Sequence, residues 1–485
     1  MKNRAIFLFL AVFLFCGLAR AEDAKQVQVL KLSLDDCVKM GIENSPQIKA
    51  AQANVEYARG KVISARSNLI PKVTGSATYM NSNMLTNFSV DSGAATMIPT
   101  SFPFTGAGGI PLPPDHIHYW SFPGFEMTSD RTGDVYALKV EGTYPVFTGF
   151  RLEQAYVATK LSLDASTVDL RKQKSDLVYN IKQTYYNALL AQEMIKVVDQ
   201  SYKTMEDHYK QVKELYKEGY VSNLDVIQTE ARLTAIKPQQ IQVYTGLRLA
   251  KTALRALLYL EPTVDMELTG KLEYVPVDIP DYNKVFSHEM DPELDAIMQK
   301  AYQNRPEVKN LEIRKKQANS LVKIAYGGYY PTVALFANYQ WNMGANMPPL
   351  DKTWAQGYQA GASASISLFD GFYNYGEVRA AKGQYQQIMF GEQALKRGIE
   401  TEVTSAYLVL VGAQQAMDAE SANVNASKKN FDAQEKRYRE GYVNQLDVLD
   451  AETQLTAAQA GYLRSVANYL ISKAALEKAM GLEVM

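Results

Sequence analysis

The sequence has few of the residues that build disulfides and metal sites: two cysteines, four histidines and three tryptophans in 485 residues. Cys16 lies in an apolar leader that we expect to be removed, so Cys37 is left alone and no intramolecular disulfide can form. No histidine pair has HExxH or comparable zinc spacing. His116 and His118, beside Asp115, are the one pair with some metal-ligand character. We predict neither a metal nor a cofactor.

The motifs of common enzyme classes are also missing. The chain has no Gly-x4-Gly-Lys-Ser/Thr phosphate loop and no Gly-x-Ser-x-Gly nucleophile turn. Its formal net charge is -1 and it has no long basic run, which argues against nucleic acid as a partner. These absences predict that the protein is not an enzyme and that its function depends on its shape.

The N-terminus has the pattern of a secretory signal. Two basic residues precede an apolar run, and a small-residue cleavage site ends at Ala21, so we expect residues 1–21 to be removed. The remaining chain has no apolar run of the length that a membrane-spanning helix needs. Entry into a membrane would therefore require strands in a closed barrel.

An internal duplication organises the chain. Residues 216–226 recur at 438–448 with eight identities in eleven positions. Nearer the start of each copy, matched prolines and apolar residues lie at a larger offset, so the first copy carries an insertion. We predict a first repeat at residues 22–260, a linker at 261–292 and a second repeat at 293–482.

Four segments alternate apolar and polar residues, which is the pattern of half-buried strands. Two begin after Pro71 and Pro331, and two precede Phe-x-Gly-Phe turns, with the last apolar series reaching Ile366 and Leu368. Strands of about ten residues are long enough to cross a bilayer, but four strands cannot close a barrel. We therefore expect several chains to share one barrel, and three chains would supply twelve strands.

Long helices are predicted after the strands. From Arg151 to Lys217 there is no proline or glycine, and a helix of this length extends roughly 100 Å. Its apolar residues follow a 4-3-4-3-4 spacing that predicts a coiled-coil seam. These residues are Val198, Tyr202, Met205, Tyr209, Val212 and Tyr216.

Each repeat then predicts a helical hairpin. Gly219 and Gly441 would end the outgoing helices, because glycine adopts the positive φ of a helix C-terminus. Ser222 or Asn223 in the first repeat, and Asn444 in the second, would cap the returning helices.

In their order, duplication and spacing, these features resemble the TolC-like outer-membrane efflux proteins. The resemblance rests on two Asn-x-Pro helix starts, two strand-entry prolines, two Phe-x-Gly-Phe turns and two Gly-x4-Leu-Asp-Val hairpin tips. It implies an α+β membrane protein: a homotrimer whose twelve-stranded barrel lies in outer-membrane lipid, continuous with a long α-helical coiled-coil barrel in the periplasm. It further implies a passive duct for efflux or type I secretion, working with a periplasmic adaptor and an inner-membrane pump.

The resemblance also assigns the segments outside the repeated elements. The proline-rich residues 261–292 would form part of a belt around the middle of the helical barrel. The insertion at about residues 81–133, rich in glycine, proline, serine and aromatics, would be an extracellular loop.

A periplasmic gate at the hairpin turns is implied as well. In the family, carboxylates near the second turn form rings by threefold symmetry, and the matching residues here are Asp447 and Asp450. Six carboxylates in a narrow mouth would attract cations. Asp225 holds the equivalent place in the first repeat, and Tyr216 and Tyr438 would pack at the same constriction. The alternative is that these aspartates merely complement a helix dipole.

One family contact is missing from this chain. In the family, an arginine two residues after the second-repeat glycine bridges to the first-repeat aspartate, but Val443 stands there. Arg439 or Lys217 would have to replace that arginine if Asp225 is bridged at all. The adaptor is expected to dock at the turns, at Gly219, Gly441, Tyr220 and Tyr442.

Two other functions remain as alternatives. A periplasmic coiled-coil scaffold without a pore would explain the helices but not four strands of membrane-spanning length. A diffusion porin would explain the strands but not two hairpins of roughly 100 Å.

Overall fold

The computed structural model describes residues 29–82, 88–89, 96–98, 118–120, 126–127, 133–273, 292–344 and 354–482. The predicted signal segment, most of the predicted loop and part of the predicted linker lie outside these residues. Of the possible metal ligands, Asp115 and His116 also lie outside these residues.

The described chain is mostly helical, with eight helices. They are α1 (Leu34–Asn44), α2 (Pro46–Ser67), α3 (Arg151–Lys217), α4 (Asn223–Leu257), α5 (Pro292–Asn304), α6 (Pro306–Gly327), α7 (Tyr373–Arg439) and α8 (Gln445–Ala479). Helices α3 and α7 have 67 residues each, and α4 and α8 have 35 each, so the two hairpins match in length. The helix predicted from Arg151 to Lys217 is confirmed. In the described ranges, none of the helices combines the length and the apolar character needed to cross a membrane.

Ten strands are present in the same ranges. They are β1 (Val29–Leu32), β2 (Lys72–Ser82), β3 (Phe88–Ser89), β4 (Thr96–Ile98), β5 (His118–Trp120), β6 (Glu126–Met127), β7 (Gly133–Phe147), β8 (Asp265–Leu268), β9 (Thr332–Gly344) and β10 (Ala355–Ser365). The main sheet is antiparallel in the order β10-β9-β7-β2. Its four members are the four strands that the alternation predicts.

The last of these strands is shorter than its alternation predicts. β10 ends at Ser365, so Ile366 and Leu368 lie beyond it, and this part of the prediction is wrong. Ser365 pairs with Thr332, the first residue of β9, and Pro331 before it has no N–H with which to continue the ladder. The alternation in sequence therefore continues past the end of the partner strand.

The main sheet has one apolar and one polar face. One row across the strands joins Gly75, Val140, Tyr339 and Tyr358, and the adjacent row joins Thr74, Glu141, Asn338 and Gln359. Adjacent rows lie on opposite faces because successive side chains of a strand alternate. In the apolar row, Val140 is 43% exposed and Tyr358 is 79% exposed. On the polar face, the Asn338 amide donates to Gln359 Oε1 at 3.4 Å, and Lys139 pairs with Glu141 at 2.6 Å.

The turns into α3 and α7 have an unusual backbone. Gly149 and Phe150 both have φ of +63°, and Gly371 and Phe372 have φ of +64° and +66°. A phenylalanine in this left-handed region is strained, and it persists only where its surroundings hold it there. The ring of Phe150 packs edge-on against Phe147, with 5.3 Å between ring centroids. The geometry that the two turns share thus combines a conformationally permissive glycine with an aromatic pair.

The N-terminal segment and the segment after α4 meet on α3. β1 and β8 pair in parallel, from Val29 opposite Asp265 to Leu32 opposite Leu268. Beneath them, the Tyr185 hydroxyl donates to the Leu32 carbonyl at 3.4 Å and accepts from the Gly270 N–H at 3.2 Å. Buried residues of α1, α2, α3 and α4 complete this core, which includes the free Cys37. The start of the predicted linker is therefore packed against the helices.

We expect Gly149→Ala to destabilise the protein more than Gly371→Ala. Each change puts a side chain at positive φ, which costs about 1–2 kcal/mol. At Gly149 the new carbon would also overlap the carbonyl oxygen of Gly327 and lie 2.9 Å from Tyr330 Cβ, whereas nothing lies within 4 Å of it at Gly371. The apparent melting temperature of each purified variant measures the difference. Equal losses would contradict this packing.

Candidate functional site at the hairpin turns

Both long helices end in the same kind of turn. Gly219 has φ of +81° and Gly441 has φ of +79°, as the two glycines predict. The N–H of Tyr220 donates to the Leu215 carbonyl at 2.9 Å, which is the bond that closes a Schellman motif. The Tyr442 N–H makes the equivalent bond at 2.9 Å. The side chains of Tyr220 and Tyr442 point outward, 76% and 73% exposed.

The aspartates that follow the turns are capping residues. Ser222, rather than Asn223, caps α4: its N–H and hydroxyl donate to Asp225 Oδ2 at 2.8 and 2.7 Å. Asn444 caps α8, and its N–H donates to Asp447 Oδ2 at 3.2 Å. Each aspartate therefore completes a capping box, in which the carboxylate satisfies an N–H that the helix leaves unpaired. Both also lie in the first turn, where the helix dipole favours negative charge.

Asp450 has different surroundings, one turn further along α8. Its carboxylate lies 3.5 Å from Nη2 of Arg232 in α4, and both side chains are about half exposed. An exposed pair of this kind contributes little to stability. Asp447 and Asp450 are both exposed on α8.

The two basic residues expected to stand in for the missing family arginine do not do so within one chain. Lys217 pairs with Glu214 at 2.8 Å, and Arg439 pairs with Glu435 at 2.5 Å. Both pairs lie inside a single helix, three or four residues apart, where oppositely charged side chains meet most easily. Asp225 is bonded to its own cap instead, so neither residue bridges it inside the described chain.

Tyr216 and Tyr438 occupy unlike surroundings although they hold equivalent positions. Tyr216 is 44% exposed. Tyr438 packs against His208, with 5.5 Å between ring centroids, and its buried hydroxyl has no hydrogen-bond partner among the described residues. Burial raises the pKa of Tyr438, and the nearby charge of Asp225 acts in the same direction. Burial also lowers the pKa of His208, against the opposing charge of Glu435.

Glu452 is a buried carboxylate at this site that the sequence patterns do not single out. It is 6% exposed, and its Oε1 accepts from Ser201 of α3 and, at 3.2 Å, from Thr456. Burial raises the pKa of Glu452. Gln445, Val448 and Glu452 lie at helical spacing on one face of α8, but a face with two polar residues of three does not predict burial.

A cavity of about 280 Å³ lies where α3, α7 and α8 meet, close to the turns. Its wall includes Met205, His208, Phe431, Glu435, Arg439 and Glu452. The Nε2 atom of His208 is buried without a partner in the described part of the chain. No group of three or more potential metal ligands occurs among the residues that the structure describes.

Comparison with known proteins identifies the class to which this hairpin and sheet architecture belongs. Residues 38–258 and 297–482 match the family model described as outer membrane efflux protein. The chain therefore belongs to the outer membrane efflux protein family. The predicted family and outer-membrane location are confirmed.

Named relatives and solved structures extend over most of the chain. The toluene efflux pump outer membrane protein TtgC of Pseudomonas putida is 22% identical over 455 residues, which are 93% of this chain and 83% of the relative. The outer membrane protein TolC of Escherichia coli K12 is 20% identical over 492 residues, covering 99% of this chain and 86% of TolC. The CmeC outer membrane channel of Campylobacter jejuni superposes with a TM-score of 0.67 at 18% identity, over 92% of this chain and 85% of CmeC. These relatives are described as channels or efflux components, and their fold is shared.

We expect Glu452→Gln to stabilise the protein at neutral pH by a few degrees in apparent melting temperature. Glutamine keeps an acceptor for Ser201 and removes a charge that burial disfavours. Because the folded pKa is raised above its ordinary value of 4.5, stability from this carboxyl is present at low pH and is lost as the pH rises through the folded pKa.

The difference between Glu452→Gln and wild type should accordingly shrink as the pH falls toward 4.5. The control is Glu230→Gln, at the equivalent position of α4, where the glutamate is exposed. A stabilisation that does not change with pH, or that Glu230→Gln reproduces, would refute the role assigned to the buried charge.

Proposed function

We propose that three copies of this chain assemble into the passive outer-membrane duct of a tripartite efflux or type I secretion system. The observation that carries the proposal is the main sheet, which has an exposed apolar face and, within the described chain, two edges without partners. A periplasmic coiled-coil scaffold would not need a sheet with an exposed apolar face.

The edges of the sheet argue for assembly with other copies. β2 and β10 each pair on one side only within the described chain. In lipid, unpaired backbone N–H and C=O groups have no water to bond with, so open edges are not tolerated. Three copies would supply twelve strands in one closed barrel, with two strands from each half of the duplicated chain.

The two faces of the sheet suit a barrel wall. Apolar residues such as Val140 and Tyr358 would face lipid, and Glu141, Asn338 and Gln359 would face a watery lumen. The scaffold alternative leaves the apolar face in water, which the hydrophobic effect opposes. The porin alternative leaves the two 67-residue helices without a role.

The hairpins would form the periplasmic part of the duct. Helices of 67 residues extend roughly 100 Å away from the sheet, which carries the turns far from the membrane. At that end, Gly219 and Gly441 with the exposed Tyr220 and Tyr442 offer a surface for a periplasmic adaptor. An inner-membrane pump would supply the energy, because the sequence has no nucleotide-binding loop.

The acidic residues near the turns would form the gate. In a trimer, Asp447 and Asp450 give two rings of three carboxylates at the mouth, which favours cations. Asp225, Tyr216 and Tyr438 would line the same constriction. Because Asp447 also completes the capping box of α8, the choice of substitution has to separate this structural role from its charge.

We expect the double variant Asp447→Asn/Asp450→Asn to lose cation selectivity in planar bilayers. Asparagine keeps an acceptor for the capping bond and removes six charges from the trimer. The measurement is the reversal potential across a salt gradient, with the cation-to-anion permeability ratio falling toward one. The control is Asp164→Asn, which removes an exposed charge at the opposite end of α3.

The same recordings test the duct itself. Small currents from wild type, blocked by divalent cations only when the aspartates are present, support both the duct and the acidic mouth. A folded, membrane-inserted protein that passes no current even after the turns are opened would reject the duct and favour the scaffold.

A further inference from the structure

We infer that the closed gate of this chain is held by a neutral link between its two hairpins, in which Gln445 of α8 bonds to Thr229 and to the Asp225 backbone of α4. This hairpin link rests on the proposed function, because it concerns the closed state of that duct. It replaces charge pairing with uncharged hydrogen bonds, and it assigns closure to residues that the family pattern does not mark.

The hairpin link consists of three hydrogen bonds. Gln445 Nε2 donates to the Asp225 carbonyl at 3.1 Å and to the Thr229 hydroxyl oxygen. The Thr229 hydroxyl donates to the same carbonyl at 2.8 Å. Thr229 is fully buried and Gln445 is 4% exposed. The contact joins the first residue of α8 to the first two turns of α4, across 216 residues of sequence.

The hairpin link lies at the end of an apolar cluster that shields it from water. Val198 and Met205 of α3, Ile236 of α4 and Leu449 of α8 form this cluster, so three helices meet just beyond the link. In such surroundings a hydrogen bond is electrostatically stronger than in water, and an unpaired partner is disfavoured. Separating α4 from α8 therefore requires water to reach Gln445 and Thr229.

The charged groups nearby are poor candidates for the same task. The Arg232–Asp450 pair is 3.5 Å long and about half exposed on both sides, so salt would screen it. The carboxylates of Asp225 and Asp447 are occupied by their own caps. Lys217 and Arg439 are paired within their own helices. Among the described contacts between α4 and α8 near the turns, the buried hydrogen-bonded one is the neutral contact of Gln445 with Thr229 and Asp225.

The link is also breakable. Gln445 Oε1 is buried and has no partner among the described residues, so the amide is only half satisfied in this arrangement. A half-satisfied buried group offsets part of the stabilisation that its bonded half supplies. The balance suits a contact that an adaptor can open by engaging the turns beside it.

The test compares the isosteric variants Gln445→Met and Thr229→Val, singly and together, with wild type in planar bilayers at low and high salt. Each single variant should raise the open probability roughly fivefold or more, since each removes one buried hydrogen-bonded partner. The double variant should add little to either one, because both act through one contact. Wild-type closure should be insensitive to salt.

Two controls match these variants. Asn223→Met changes the equivalent first residue of α4, which is exposed, and should leave the closed state unchanged. Arg232→Met removes the charged contact and should have a small effect that disappears at high salt. A second readout, hydrogen exchange at the backbone amides of residues 223–229, should show faster exchange in Gln445→Met and wild-type rates in Asn223→Met.

The outcomes separate the link from the duct. If wild type conducts but Gln445→Met and Thr229→Val close as it does, or if Arg232→Met alone opens the channel, the hairpin link is wrong and the duct stands. If no protein conducts, while hydrogen exchange still reports the loosened α4 turn in Gln445→Met, the contact exists but the proposed function fails, and with it the role in gating.

Discussion

The rest of the architecture depends on one constraint: every backbone hydrogen-bonding group of a strand needs a partner, and lipid supplies none. The main sheet meets this requirement internally between β10, β9, β7 and β2, but among the residues that the structure describes both outer strands have one unpaired side. Its apolar face is exposed in the single chain. In the proposed trimer, completing the sheet would also fix where each pair of helices begins, so the barrel would set the arrangement of the helical tunnel.

At the far end, the same requirement is met by local chemistry. The Schellman turns at Gly219 and Gly441 satisfy the last carbonyls of α3 and α7, and the capping boxes satisfy the first N–H groups of α4 and α8. The turns thus satisfy their own backbone groups. The contacts between the hairpins, Gln445 with Thr229 and Ser201 with Glu452, remain available to control how the hairpins sit against each other.

The sequence predicts the elements whose signals are local. Period-two alternation marks the main strands, two glycines mark the turns, and the absence of proline from Arg151 to Lys217 marks α3. These signals have limits. Helix α4 continues through Pro238, although proline usually disrupts the interior of a helix. The alternation in sequence continues to Leu368, three residues past the end of β10. The four-residue strands β1 and β8 are too short to show a period, and their partners lie far apart along the chain.

The candidate site is less predictable than the fold because its contacts join distant segments. The cap at Ser222 can be predicted from neighbouring residues, but Glu452 accepts its hydrogen bond from Ser201, 251 residues away. Family resemblance points to Asp447 and Asp450 but not to Gln445, whose partners are a backbone carbonyl and a threonine hydroxyl, so no pair of opposite charges marks the contact in the sequence. Val443 signals only that the family bridge is lost, without indicating what replaces it.

The central claim, that the sheet is completed by other copies of this chain, is tested most directly by native mass spectrometry of the protein released from lipid nanodiscs. The account predicts a single species with the mass of three mature chains. A stable, membrane-inserted monomer or dimer would contradict it, because the free edges of β2 and β10 would then have to lie in lipid without partners.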